Sequence, residues 1–545
     1  MLNQSARKQN LLKELVKALI NKDLSLAEEI TNDISLHELV SNLNLPYNCS
    51  PFYLAIAKGY ISIVELLLKK CPILIDSVTI DGWNGASLAA KYNKKNIIKL
   101  FFDIKPSVLD KVNSDGKSAL YYAIKSRHVS IVKFLLEIRP ELSNKVTLDD
   151  KLTALHLAVS TSNSKDSYIM ISQLLKVNPR LIKKADQYGN TVLHFAAKNG
   201  HTDVIKLLIN KSPELINHVA KEGRSVFHWA AWCSHEGAMK QLLGSVKNPQ
   251  LIDIAKIVDI HGYNPLHEAA ESGNAEIVAY LLNACPNLIF THTNERWFAL
   301  HIAVWHNHEN VVRLLCERSS QLVYFKDKWY GNVLHFAAEK GNVNIINILH
   351  TRCPELINGA DIKGLTALHR AVWYGHEDAI RYLLSKKFEL IYAIDEHRDS
   401  VLHYAAQRGN THIISLLLSI EPCLAEMLDE ENGTPLHRAA WNGHTEAIEL
   451  LFSIKPSLIT AKDSIGRTAL DIAKENNYQE AIKMLNKVEF MWSNEGMFNN
   501  LTPATKAENT SIVIVDLPCS GVEILQIDSN IIHLQAVGES GDLPS

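Results

Sequence analysis

Apolar residues recur along this chain in a fixed order. Leu193, Ala196 and Ala197 stand at i, i+3 and i+4, the spacing of one helical face. A glycine then ends that helix, and a second apolar run follows, such as Val204 to Leu208 with Lys206 inside it. Next comes a Pro-x-Leu-Ile segment (Pro213 to Ile216, and again Pro354 to Ile357), which stops the second helix and opens a link. The pattern predicts a pair of short helices and a connecting turn, repeated. Aligning the cores brings Ser50, Asn84, Ser118, Thr153, Thr191, Ser225, Asn264, Phe298, Asn332, Thr366, Ser400, Thr434 and Thr468 into register, and nine of the twelve spacings are 34 residues. The two largest gaps follow Thr153 and Ser225, where SNSKDSY and SVKNPQLIDIAK are inserted. One helix pair cannot bury both of its stripes alone, so neighbours must stack into a quasi-one-dimensional solenoid.

The core Thr434-Pro435-Leu436-His437-Arg438-Ala439-Ala440, followed by Asn442-Gly443-His444, resembles the ankyrin repeat. So do TVLHFAAKNGH at 191–201, NPLHEAAESGN at 264–274 and TALHRAVWYGH at 366–376. About thirteen such units span residues 48–487. Ser87 and Tyr121 stand where the family has histidine, and Asp471 does so in the last unit. The resemblance implies an all-α solenoid of stacked helix pairs joined by short β-turns and loops. Residues 1–47 are expected to form a helical N-terminal cap, from apolar pairs at Leu11/Leu12, Leu15/Val16 and Leu19/Ile20 on one amphipathic helix. Residues 488–545 leave the period as a flexible tail, with β-prone runs at 511–517, 522–528 and 531–537. The first of these, closed by Asp516, resembles the short hydrophobic motif that binds the small modifier SUMO.

Charge narrows the class. Lys and Arg number 56 against 59 Asp and Glu, a net charge of −3, so no global basic field would hold nucleic acid. The first residues, MLNQSARKQNLLKELV, lack the apolar core of a signal peptide, and no apolar run reaches membrane-spanning length. Eight cysteines in 545 residues read as reduced thiols of a cytoplasmic protein. Cys71, Cys285 and Cys353 share one slot before a proline, which suggests packing rather than metal binding.

The 24 histidines invite a catalytic reading, but nine of them (His156, His194, His228, His267, His301, His335, His369, His403 and His437) occupy one fixed slot. His201, His376 and His444 occupy a second. A catalytic histidine has no reason to recur at this period, and the resemblance implies that the first set ties turns to neighbouring loops. His376-Glu377 lacks the second histidine of a zinc motif, and Gly116-Lys117-Ser118 lacks the earlier glycine of a phosphate loop. The acids scatter as solvated faces. No catalytic, cofactor-binding or metal-binding residue is expected, nor a small-molecule substrate.

One column is not explained by the repeat. Directly after the second alanine the chain reads Trp232, Glu271, Trp305, Glu339, Trp373, Gln407, Trp441, with tryptophan in every second unit. The next column reads Cys233, Ser272, His306, Lys340, Tyr374, Arg408, Asn442. This position is turned about 100° from the apolar stripe, and the resemblance places it on the concave, partner-touching face. Two readings stand. Each tryptophan is extra packing over the adjacent unit, or the four are partner-binding anchors, with His306, Lys340, Tyr374 and Arg408 setting specificity. The expected function is a protein-binding scaffold or adaptor whose groove holds a partner polypeptide. The Ile-, Lys- and Asn-rich wording suits an AT-rich genome, which points to a host-directed effector of an intracellular bacterium acting in the host cytosol. The alternative is a cytoplasmic regulatory protein or enzyme-associated subunit with cryptic activity in the tail.

Overall fold

The computed structural model describes residues 2–33, 50–79, 82–161, 165–245 and 257–498. The chain forms two compact units, residues 1–362 and 363–545, built from the same element. Among the described residues each repeat carries an inner and an outer helix, followed by a single 3-10 turn in all but those beginning at Ser225 and Thr468. Val192–Lys198, Thr202–Lys211 and Pro213–Asn217 make one such set in the first unit. Ala367–Tyr374, Glu377–Lys386 and Phe388–Tyr392 make one in the second. Among the described residues the connections contain no regular strand, only one-residue antiparallel bridges such as Ala185 with Thr191 and Ile394 with Ser400.

The aligned residue of each unit is the N-cap of its inner helix. Thr366 is extended at φ −90° and its hydroxyl accepts from the His369 N–H, while the His369 side chain accepts from the Thr366 N–H. Those two bonds satisfy donors that the first helical turn leaves open. Where the inner helix carries an alanine pair, as at Ala196 and Ala197, both are fully buried, which lets helices approach closely. Outer-helix residues such as Val204, Ile205 and Leu208 close the other side. Each fully buried aliphatic side chain contributes roughly 1.5–3 kcal/mol.

The inner helix does not end on glycine in every repeat. Gly375 and Gly409 take the left-handed conformation at φ +76° and +67°, but Asn93, Arg127, Ser234, Asn307 and Asn477 hold φ near +60° at the same turn. The tertiary stack, rather than the residue type, imposes that conformation. The hairpins are also rooted by buried acids. The Asp259 carboxylate accepts from the N–H groups of His261 and Tyr263, both at 2.9 Å, and Asp429 accepts from Glu431 and Gly433 at 2.9 and 2.6 Å. Asp186, Asp327, Asp395 and Asp463 do the same, so these aspartates are structural and not part of a solvated face. Successive hairpin tips are then hydrogen-bonded to one another. In the first unit Gln187 N–H donates to Asp150 O, Lys221 to Tyr188 O and Ile260 to Glu222 O, at 2.9–3.0 Å; in the second, Glu430 donates to His397 O and Ser464 to Glu431 O.

At the N-terminus the single amphipathic helix expected within residues 1–47 is, among the described residues, two helices, Leu2–Asn21 and Leu24–Asp33, broken where Lys22 turns to φ +63°. They pack on the first inner and outer helices and bury Leu15, Ala18, Leu19, Ala27 and Ile30. At the other end Gln479–Phe498 is one helix with Val488 buried, so residues 488–498 are helical where the sequence suggests a flexible linker. The β-prone runs and the SUMO-type motif lie outside the described residues.

Candidate functional site

The repeat's fixed histidines are scaffold. In the neutral ring Nδ1 accepts from the N-cap N–H, which leaves the proton on Nε2. That N–H donates to the next repeat: His228 to Tyr263 O at 2.9 Å, His403 to Gly433 O at 3.1 Å and His437 to Arg467 O at 3.2 Å. Burial, which outweighs the pull of nearby aspartates such as Asp186, Asp259 and Asp429, depresses these imidazoles: His156, His228, His267 and His403 to about 4, His194 and His301 to about 3. The second slot also ties repeats together, backwards: His444 donates to Gln407 O at 2.9 Å. His128, His235 and His308 make the equivalent bonds to Lys91, Lys198 and Glu271, members of this slot that the motif alone did not reveal. Asp471 fills the first slot in the last repeat with a carboxylate, which accepts from the Thr468 N–H at 3.0 Å and hydroxyl at 2.8 Å.

A second set of inter-repeat contacts links the residue before one N-cap to the residue after the histidine slot in the next repeat. Trp83 meets Tyr122 with ring centroids 4.4 Å apart, and Trp297 meets Phe336 at 5.1 Å. At the same two positions the Arg224 guanidinium lies 3.7 Å from the buried Glu268, with Asp259 also at 3.7 Å. In the second unit the signs are exchanged. Asp399 takes two bonds from Arg438, at 3.0 and 2.8 Å, and the same guanidinium reaches Asp429 at 3.0 Å. Burial pushes Glu268 up to about 7 and Asp399 up to about 6, with the arginine opposing in each case. Asp399, His403 and Asp429 bring ligand atoms within 4.8 Å of one another, the donor set of a cation site. Arg438 already supplies the cation, and both His403 ring nitrogens are spent on Ser400 and Gly433. This cluster is an ion network of the scaffold.

The tryptophans are neither fully packed nor fully free. Trp232 and Trp441 are 45% and 48% exposed, while Trp305 and Trp373 are half-buried. The covering group comes from the following repeat. Lys340 Nζ stands 3.6 Å from the Trp305 ring centroid, with Phe336 at its edge 5.9 Å away. Arg408 lies 4.8 Å over Trp373, with Tyr404 at 5.6 Å. At Trp305 and Trp373 the alternation is therefore a pairing: an indole in one repeat, and a cation and an aromatic ring on it from the next. Such a cation–π contact is worth about 0.5–2 kcal/mol. Trp232 differs: Arg224, 5.5 Å from its ring centroid, comes from its own repeat. His306 and Tyr374 stack on His308 and His376 at their own turns, and Tyr374 is 45% exposed. Lys340 and Arg408 thus sit with the tryptophans, and His306 and Tyr374 at the neighbouring turns.

No helix among the described residues is long and apolar enough to cross a membrane. A family model described as ankyrin repeats (3 copies) matches residues 52–146, 86–180, 155–253, 249–327, 319–395 and 402–491, and one described as ankyrin repeats (many copies) matches residues 374–418. Among curated proteins no match is found.

Proposed function

The chain belongs to the ankyrin repeat family, and from that premise we propose that it is a protein-binding scaffold whose partner is gripped by the tryptophan pairs. Ankyrin repeats serve protein–protein interaction in general; the site on this chain is the proposal. The observation that carries it is the column Trp232, Trp305, Trp373 and Trp441, which keeps large indoles partly in solvent in alternate repeats. A side chain needed only for packing would be covered as Leu368 or Ala371 is. Lys340 and Arg408 hold two of the indole faces in place, and an ordered aromatic edge beside a cation is the composition of an interface hot spot. His306 and Tyr374, at the turns next to Trp305 and Trp373 in their respective units, set specificity. The setting we favour is a host-directed effector acting in the cytosol of a eukaryotic cell.

The test is affinity capture from eukaryotic lysate with the wild-type chain and a Trp305→Ala/Trp373→Ala/Trp441→Ala variant, with thermal unfolding of both. The expected result is loss of a captured partner, with an unfolding midpoint lowered by no more than a few degrees. An unchanged set of captured proteins would reject the site.

A further inference from the structure

The groove column changes character along the chain. Before the tryptophans begin it reads Ala57, Lys91, Lys125, Ser160, Lys198, with no acid; from Glu271 onward it contains no lysine. Each of these lysines stands on an aromatic ring of the same face: Lys91 4.5 Å over Trp83, Lys125 5.9 Å from Tyr121 and Lys198 4.6 Å over Trp229. The bias extends to the whole segment. Lys and Arg outnumber Asp and Glu by 27 to 16 over residues 50–245, and the ratio inverts to 21 against 30 over 257–498.

The same segment holds a cleft of about 620 Å³, floored by Leu152, Phe195 and Trp229 and walled by Lys198 on the helix side. Its acids lie on the hairpin side, interleaved there with Lys221 and Arg224. The Asp150 carboxylate already accepts from Gln187 at 3.0 Å, and Asp186 from its own turn. A cavity of this size admits one or two large apolar side chains.

We propose that Lys91, Lys125 and Lys198, with the cleft floored by Leu152, Phe195 and Trp229, form a second subsite that takes a polypeptide segment bearing acidic residues, with an apolar side chain seated in the cleft. The proposal rests on the protein-binding reading above but uses other residues. Lysines parked on aromatic rings have lost part of their rotamer freedom before a partner arrives, so a carboxylate meets an ordered cation. A polypeptide fits better than a nucleic acid. The cleft is lined by the acids Asp150, Asp186 and Glu222 as well as by Lys198, Lys221 and Arg224, a mixed and partly apolar lining that a backbone charged at every unit does not match. A peptide can direct its acids to the lysine side alone.

Fluorescence anisotropy tests this on the full chain, with fluorescein-labelled EEEFEEEFEEE, its lysine counterpart KKKFKKKFKKK and a short oligothymidylate as probes. The acidic peptide is expected to bind, more weakly at high salt, and to lose about tenfold in affinity in Lys125→Glu/Lys198→Glu. Lys125→Met/Lys198→Met, which keeps the stems on the rings, is expected to weaken binding without shifting the unfolding midpoint. Equal or tighter binding of the basic peptide or the oligonucleotide overturns the proposal, as does unchanged acidic-peptide affinity in both lysine variants. Loss of that binding in the triple tryptophan variant alone also overturns it, while leaving the tryptophan site standing.

Discussion

Between pH 7 and pH 4 the residue 1–362 unit is expected to lose most of its stability, well before any change expected of surface charges. His156, His194, His228, His267 and His301 are buried there as neutral rings at about 3 to 4, against 6.5 in an unfolded chain. A depressed histidine means that the unfolded state binds the proton first. The stability is therefore complete above pH 6.5 and drains away as the pH falls through that value, continuing until the folded value is reached. Each ring contributes about 1.4 kcal/mol per pH unit in that window. Glu268 acts oppositely, since its raised carboxyl is relieved by protonation, and it offsets about one of the five. Urea melts followed by far-UV circular dichroism at pH 7.5, 6.0 and 5.0 would show the midpoint falling steeply. Hydrogen exchange at pH 5 would find inner helices such as Val192–Lys198 and Ala299–Trp305 opening early. A midpoint that stays level from pH 7.5 to 5 would remove the histidine stack from the account of stability.

Removing Arg438 is the second large effect. Arg438→Met keeps most of the volume of the side chain but leaves Asp399 and Asp429 facing each other with side chains 11% and 4% exposed. Breaking a buried pair in this way costs about 3–5 kcal/mol at pH 7. The loss should shrink on acidification, because Asp399 is already raised to about 6 beside the arginine and takes up a proton readily without it. Replacing all three, as Arg438→Met/Asp399→Leu/Asp429→Asn, should recover much of the stability, since no uncompensated charge remains buried. Chemical denaturation of the single and triple variants at pH 7.5 and 5.5 separates these effects. A single variant as stable as wild type at pH 7.5 would mean that the two carboxylates are solvated after all.

The unequal legibility of these features has a physical cause. A period of 34 with Leu and Ala at helical spacing made the stack readable, because each copy repeats the same local chemistry, and the histidine tethers followed from the family resemblance. The Asp399–Arg438 and Arg224–Glu268 pairs were not readable. Their partners lie in adjacent repeats and occur once each, so singly they look like solvated charges. The hairpin aspartates could have been found, since Asp259, Asp327, Asp395, Asp429 and Asp463 each stand five residues before the N-cap. The tryptophan column was legible as a pattern. Its geometry was not, because the covering Lys340 and Arg408 come from the following repeat. The lysine-to-tryptophan change along that same column gains meaning only once Lys91, Lys125 and Lys198 are seen on aromatic rings.

Asp471 looked like a worn copy of the histidine slot, yet it caps its helix as the histidines do. What it lacks is a proton to hand onward. A histidine such as His437 faces two ways, completing its own turn and reaching for a carbonyl in the next repeat, while a carboxylate completes the turn and asks nothing of a successor. The last described repeat thus carries a punctuation mark. A chain engineered to continue the stack beyond it would gain that onward bond from histidine at position 471, a bond that the repeats carrying Ser87 and Tyr121 in the same slot already stack without.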